Sequence, residues 1–164
     1  MEGPHLLEAL LDAQLLPEEV YYHPAALQRT PEGTTLLQRV AATTELSQHH
    51  RLIEVSERVM ETLSDVQTAQ GVVSVLPIAA LRVDLVAARR PVAQRPALLI
   101  LDDIADPGNM GTILRTALAA DVERVLLTPH CVDCYNPKVV RSAAGAHIAL
   151  PIECELSWEK IARY

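Results

Sequence analysis

Two short blocks hold most of the residues able to do chemistry. The first, Asp106-Pro-Gly-Asn-Met-Gly-Thr-Ile-Leu-Arg-Thr-Ala117, follows the apolar run Leu98-Leu-Ile-Leu101. A strand, a glycine-bearing turn and a helix start, in that order, bring backbone N–H groups and a few polar side chains up to a substrate. Asn109 and Arg115 are the polar side chains so carried. The second block is Asn136-Pro-Lys-Val-Val-Arg-Ser-Ala-Ala-Gly-Ala-His-Ile-Ala-Leu-Pro151. Asn136-Pro137 ends a loop and starts a short helix, where proline at the first position is favourable. Lys138 and Arg141 stand three apart and share a face suited to phosphate. Gly145 reads as a close backbone approach before a strand ending at Leu150-Pro151.

Each feature also has a plainer use. Gly108 and Gly111 can serve a tight turn and close helix packing, and Asn109 suits a helix N-cap. Arg115 fits the solvated stripe of a helix bearing Ile113, Leu114, Ala117, Leu118 and Ala119. Lys138 and Arg141 can be a surface pair. Cys131-Val-Asp-Cys134, preceded by His130, has metal-ligand spacing. Only Cys154 adds a thiolate and no second close pair completes a tetrahedron, so ordinary loop cysteines are the better reading and no metal is expected. His5, His23, His49, His50 and His147 form no ligand pattern, and Trp158 and Tyr21-Tyr22 read as packing residues.

The elements that position these blocks follow from periodicity and breakers. Residues 1–77 read as a small α/β domain. Leu6, Leu7, Leu10 and Leu11 recur at helical spacing, with Pro17 marking the stop before a strand at Val20–Tyr22. A helix is expected over Thr34–Ala42. Another starts at the N-cap Ser56 with Val59, Met60 and Leu63 inward, and a buried strand follows at Val72–Leu76. Residues 78–96, rich in arginine and alanine with Pro91 and Pro96, read as a linker. In 97–164 the pattern gives strand 97–102, turn 103–108, helix 109–120, strand 124–128 and loop 129–136. A short helix over 137–143 and a strand over 147–152 complete it. Strand, helix, strand in this rhythm implies a parallel sheet with right-handed crossovers.

A hydrophobic content of 49% is ample for a packed core, and no apolar run approaches the roughly 18 residues of a membrane span. The first residues have no basic stretch before an apolar segment, so a secretory signal is not expected. Three cysteines cannot all pair within one chain, which suits a reducing cytoplasm. The net charge of −7 argues against a nucleic-acid partner until its distribution is considered. Residues 1–77 carry 11 acids and 4 bases, whereas 78–96 carry 1 acid and the four bases Arg82, Arg89, Arg90 and Arg95. The balance of 97–164 is 9 acids and 6 bases. A local basic face is therefore compatible with RNA.

The ordered pair of blocks resembles the first two motifs of the SpoU/TrmH branch of SPOUT RNA methyltransferases. Glu2-Gly-Pro-His-Leu-Leu-Glu-Ala-Leu10 is similar to the start of the substrate-binding domain that precedes the catalytic domain in such enzymes. Leu63-Ser-Asp and Thr68-Ala-Gln-Gly-Val-Val-Ser-Val75 are similar to its end. The resemblance implies an α/β protein in which a small substrate-binding domain precedes the first part of a parallel-sheet, trefoil-knot methyltransferase domain. It implies transfer of a methyl group from S-adenosylmethionine to a ribose 2′-hydroxyl of rRNA or tRNA, by a protein expected to be a homodimer when intact. It places Asn109 and Arg115 on the RNA-facing side of the active site. Lys138, Arg141, Arg89 and Arg90 are then expected on RNA, and Gly145 and Leu150 beside the cofactor. The family often has a serine two residues before the glycine; this chain has Ala143 there and Ser142 one place earlier.

Ribose methylation needs an aligned hydroxyl, a lost proton and donors for the growing negative charge. A guanidinium stays protonated throughout the range in which the protein is folded, so Arg115 suits charge stabilisation and phosphate anchoring, not general-base work. Nothing like the family's third motif, a Leu-Asn-Val-type segment, occurs by Tyr164. The family's usual basic helical stretch is also missing before Glu2, so both ends read as cut, and the isolated piece is expected to be inactive and to bind the cofactor weakly or not at all. The alternatives are a catalytically incomplete RNA-binding fragment or paralogue, and a different α/β phosphate-binding enzyme. Against the last, the turn lacks both a Gly-Lys-Ser/Thr and a full Gly-x-Gly-x-x-Gly.

Overall fold

The computed structural model describes residues 1–29, 31–44, 51–64, 66, 68–81 and 97–164. The chain divides into two compact units, Met1–Pro77 and Ile78–Tyr164. The arginines 82, 89, 90 and 95 of the expected linker lie outside the described residues, while 78–81, which open it, form a 3-10 helical turn.

In the N-terminal unit the order is α1 (Pro4–Asp12), β1 (Glu19–Tyr22), α2 (Pro24–Leu27), α3 (Pro31–Thr44), β2 (Arg51–Glu54), α4 (Glu57–Leu63) and β3 (Val72–Val75). β1 is central, parallel to β2 and antiparallel to β3. Leu6, Leu7 and Leu10 fall on one face of α1, as their spacing requires, and all three are buried. Leu7 packs with Val20, Leu27, Leu36, Val40 and Val72 into this unit's core. A Cβ at Gly33 would stand 2.2 Å from the Leu27 carbonyl oxygen, so α3 passes α2 at a distance only glycine permits. α4 corrects the sequence reading. Ser56 caps it, accepting from the Val59 N–H, and Met60 is buried, but Val59 and Leu63 are 44% and 39% exposed. A helix this short covers one core position, not three.

In the C-terminal unit β4 (Leu98–Leu101), α5 (Pro107–Ala119), β5 (Arg124–Leu127), α6 (Pro137–Ser142), α7 (Ala146–Ala149), β6 (Ile152–Glu153) and α8 (Trp158–Ile161) follow in turn. The sheet order is β4-β5-β6 with all strands parallel, so each return requires a crossover through helix. Leu101, Met110, Leu114, Val125, Leu127, Val139 and Ile152 meet on one face. Leu126 is buried on the other, with Leu156 and Ile161. The predicted strand over 147–152 is instead a helical turn and a two-residue strand, because Gly145, at φ 90°, starts α7. β4 is less buried than its apolar run suggests: Leu98 and Ile100 alternate outward and are exposed. Trp158 is exposed and not a packing residue, whereas Tyr21 and Tyr22 are half-buried with hydroxyls donating to Glu19 and Glu54.

Candidate functional site

The turn after β4 is built by polar contacts. The Thr128 hydroxyl, buried at the end of β5, donates to Asp102 at 2.7 Å and lies 3.4 Å from the Asp103 N–H. Asp103 adopts φ 55°, a left-handed conformation that aspartate tolerates better than most side chains. The Val132 N–H donates to the Ile104 carbonyl and fastens the turn to the next loop. Asp106 then caps α5, its carboxylate accepting from the Asn109 N–H at 2.7 Å, with Pro107 at the first helical position. Asn109 is therefore not the cap, and its exposed side chain is left over for other work. A groove of about 300 Å³ lies beside it, lined by Asp103, Ile104, Asp106, Asn109, Thr112 and Ile113.

Gly111 joins the two blocks. A Cβ there would sit 1.8 Å from the Ser142 hydroxyl oxygen and 2.7 Å from the Val139 carbonyl oxygen. α5 and α6 thus meet at a residue without a side chain. The Ser142 hydroxyl lies 2.9 Å from the Lys138 carbonyl and 3.3 Å from that of Pro107, between the two helix starts. Arg115 is four residues beyond Gly111, one turn along the same side of α5. It is exposed, with no ion pair among the described residues, and it does not line the Asn109 groove.

Asn136 caps α6 by accepting from the Lys138 N–H at 3.0 Å, with Pro137 at the first position. Lys138 is exposed and Arg141 half-buried. Ala144 and Gly145 follow at φ 47° and 90°, so Gly145 supplies a left-handed turn. Leu150 is buried in the core, leaving only its backbone to meet a ligand. His147, also buried, donates through Nε2 to the Cys134 carbonyl at 2.7 Å, while Nδ1 has no partner among the described residues. Burial lowers the His147 pKa, so the ring is held neutral.

The structure thus brings Gly111, Pro107, Lys138 and Ser142 together and sets Asn109 and Arg115 on α5 around them. It does not bring Arg115 into the groove of Asn109, and Arg89 and Arg90 lie outside the described residues. Sequence reading missed Thr128, whose only signal is a hydroxyl at the end of an apolar strand. It also missed the role of Ser142. Among the described residues no group of three or more His, Cys, Asp or Glu could hold a metal ion, and no helix is long and apolar enough to cross a membrane.

Residues 96–164 match the SpoU rRNA Methylase family, and residues 1–74 match the MRM3-like substrate binding domain. Residues 96–164 belong to the SpoU methylase family, and a substrate-binding unit of the MRM3-like type precedes them. It is 41% identical over 117 residues to rRNA methyltransferase 3, mitochondrial, of Homo sapiens, a match covering 69% of this chain and 27% of that protein. It is 28% identical over 152 residues to the 23S rRNA (guanosine(2553)-2′-O)-methyltransferase RlmP of Bacillus subtilis (strain 168), covering 93% of this chain and 52% of that one. The AdoMet-bound rRNA methyltransferase from Sinorhizobium meliloti superposes with a TM-score of 0.70 at 26% identity, over 99% of this chain and 56% of that chain. The chain spans between about a quarter and a half of these relatives' lengths.

Proposed function

We propose that this chain is the substrate-binding unit and the leading part of the catalytic unit of an S-adenosylmethionine-dependent rRNA methyltransferase that modifies a ribose 2′-hydroxyl. The observation that carries the reading is the contact of Gly111 with Ser142. It makes one surface of two blocks that would otherwise be a turn and an unrelated short helix. The exposed Asn109 amide, beside the carboxylates of Asp103 and Asp106, offers donors and acceptors to a sugar hydroxyl. Arg115 and Lys138, exposed and without an ion pair among the described residues, are cations for the flanking phosphates. Arg115 lies outside the Asn109 groove. Its second role, meeting the negative charge that grows on the oxygen while the proton passes to a neighbouring phosphate or to water, rests on the family resemblance. S-adenosylmethionine supplies the methyl group as a sulfonium. Leu150 is in the core, so its backbone alone can meet the cofactor, and the Asn109 groove does not reach Gly145. Its binding, and assembly as a homodimer, are proposed for the intact protein on the family resemblance.

The test is methyl transfer from labelled S-adenosylmethionine to ribosomal and transfer RNA by the intact protein. Label is expected on ribosomal RNA, in nucleotides whose 3′ linkage resists alkali because the 2′-oxygen is blocked. Label on a base would overturn the 2′-O assignment. Arg115→Ala is expected to lower kcat at least 100-fold. Near-normal turnover of Arg115→Lys would remove the need for a planar, forked cation.

A further inference from the structure

We propose that Cys134 and Cys154 form a reversible dithiol–disulfide pair that reacts with a small-molecule disulfide of the glutathione class. The proposal stands apart from methyl transfer. It rests on a contact created by the sheet. β5 and β6 run parallel with Leu126 opposite Glu153, so Cys154 emerges beside the end of β5. The loop that leaves β5 carries Cys134 back to the same place, and the two Sγ atoms stand 2.9 Å apart. Thiolates sharing a tetrahedral metal at about 2.3 Å each are held roughly 3.7 Å apart, so the spacing does not suit a shared zinc. It is within about 1 Å of the roughly 2.05 Å disulfide bond. The nearer cysteine in sequence is not the partner: Cys131 turns to β4, its thiol donating to the Leu101 carbonyl at 3.4 Å.

The two thiols divide the work. Cys154 is exposed and Cys134 is buried, with the Cys134 carbonyl held by His147. The Cys134 thiol hydrogen-bonds to Cys154 and lowers the Cys154 pKa, against burial and the carboxylates of Asp133, Glu155 and Glu153. The Cys154 thiolate attacks the small disulfide, forming a mixed disulfide and releasing one thiol. Cys134 then loses its proton and attacks the Cys154 sulfur, releasing the second. Two protein thiols and one disulfide become one protein disulfide and two small thiols, so electrons and protons balance. The ring so closed encloses α6, Gly145 and α7, the whole second block. Oxidation would therefore stiffen the wall that faces α5.

The experiment equilibrates the chain with oxidised glutathione and then with excess reduced glutathione. Of the three free cysteines, one thiol is expected to remain after oxidation, and peptide mapping is expected to link Cys134 to Cys154. The mass should fall by about 2 Da, two hydrogens, and return on reduction. The calorimetric midpoint of the C-terminal unit should rise by roughly 10 °C in the oxidised form. Cys154→Ser, a surface change, should leave the midpoint insensitive to glutathione. A bond through Cys131, chain-to-chain dimers, a persistent glutathione adduct on Cys154, or no loss of thiols would each overturn the proposal.

Discussion

The two units differ in where they leave cations unpaired. Arg29 and Arg58 in the N-terminal unit, and Arg115 and Lys138 on the two joined helices of the C-terminal unit, are exposed with no ion pair among the described residues. In the N-terminal unit Arg39 reaches Glu8 and Asp12, the latter at 2.6 Å, and Arg51 is paired with Glu19. Such exposed pairs add little stability, about 0–1 kcal/mol each, but they cancel the local potential that a phosphate would feel. In the C-terminal unit Arg124 is likewise paired, with Glu153, and lies 5.6 Å over the Tyr164 ring. Arg115 and Lys138 are exposed and have no ion pair among the described residues. Counting charges treats these arginines alike; the structure does not. The lesson is that a net charge of −7 says little about where an RNA chain would be gripped.

This contrast can be broken most forcefully at the glycines. Gly111→Ala should destabilise the C-terminal unit by about 3 kcal/mol, because its Cβ meets backbone as well as the Ser142 side chain. Amide hydrogen exchange would show faster opening of β5 and α5, with α1 and β1 unchanged. Gly33→Ala should do the reverse. If either substitution loosened both units equally, their treatment as separate compact bodies would fail.

A smaller effect sharpens the electrostatic half. Lys138→Gln should weaken RNA binding by the intact protein several-fold and lower the salt slope of log affinity by about 1. Arg39→Gln should change neither, since its charge is already engaged. Titration at several salt concentrations separates the two, and an equal loss from both would erase the distinction drawn here.

The mildest effect is on pH dependence. Burial keeps folded His147 below the ordinary imidazole value of 6.5, so on acidification the unfolded chain takes up this proton first. Its contribution to stability is complete above pH 6.5 and declines as the pH falls toward the folded-state pKa. His147→Gln keeps a donor for the Cys134 carbonyl but cannot titrate. Its C-terminal unit should lose less stability between pH 7 and pH 5 than the unsubstituted chain, as read from urea midpoints.

Local patterns made much of this molecule legible. The leucine spacing of α1, the Ser56 cap and the strand–helix–strand rhythm ahead of a parallel sheet all follow from nearest-neighbour physics. The errors came where two residues of one type compete or where contacts are remote. Asp106 and Asn109 are both good caps, and Pro107 decides for Asp106 because proline belongs at the first helical position. Ala146-His-Ile-Ala-Leu150 is apolar enough for a strand, yet a glycine at positive φ begins a helical turn. The Thr128–Asp102 bond and the Cys134–Cys154 contact, 20 residues apart in sequence, arise only when parallel strands align. The family resemblance places Asn109 and Arg115 on one RNA-facing side. Six positions along a helix, however, place them on different sides, so the groove holds one and not the other.

Positions 111 and 142 cannot be altered independently. A larger residue on α5 is admissible only if the hydroxyl opposite is given up, and the Val139 carbonyl 2.7 Å away would still resist it. Libraries that randomise one of these helices while freezing its neighbour should therefore return mostly misfolded members. Libraries that vary both together are the ones expected to retain folded members.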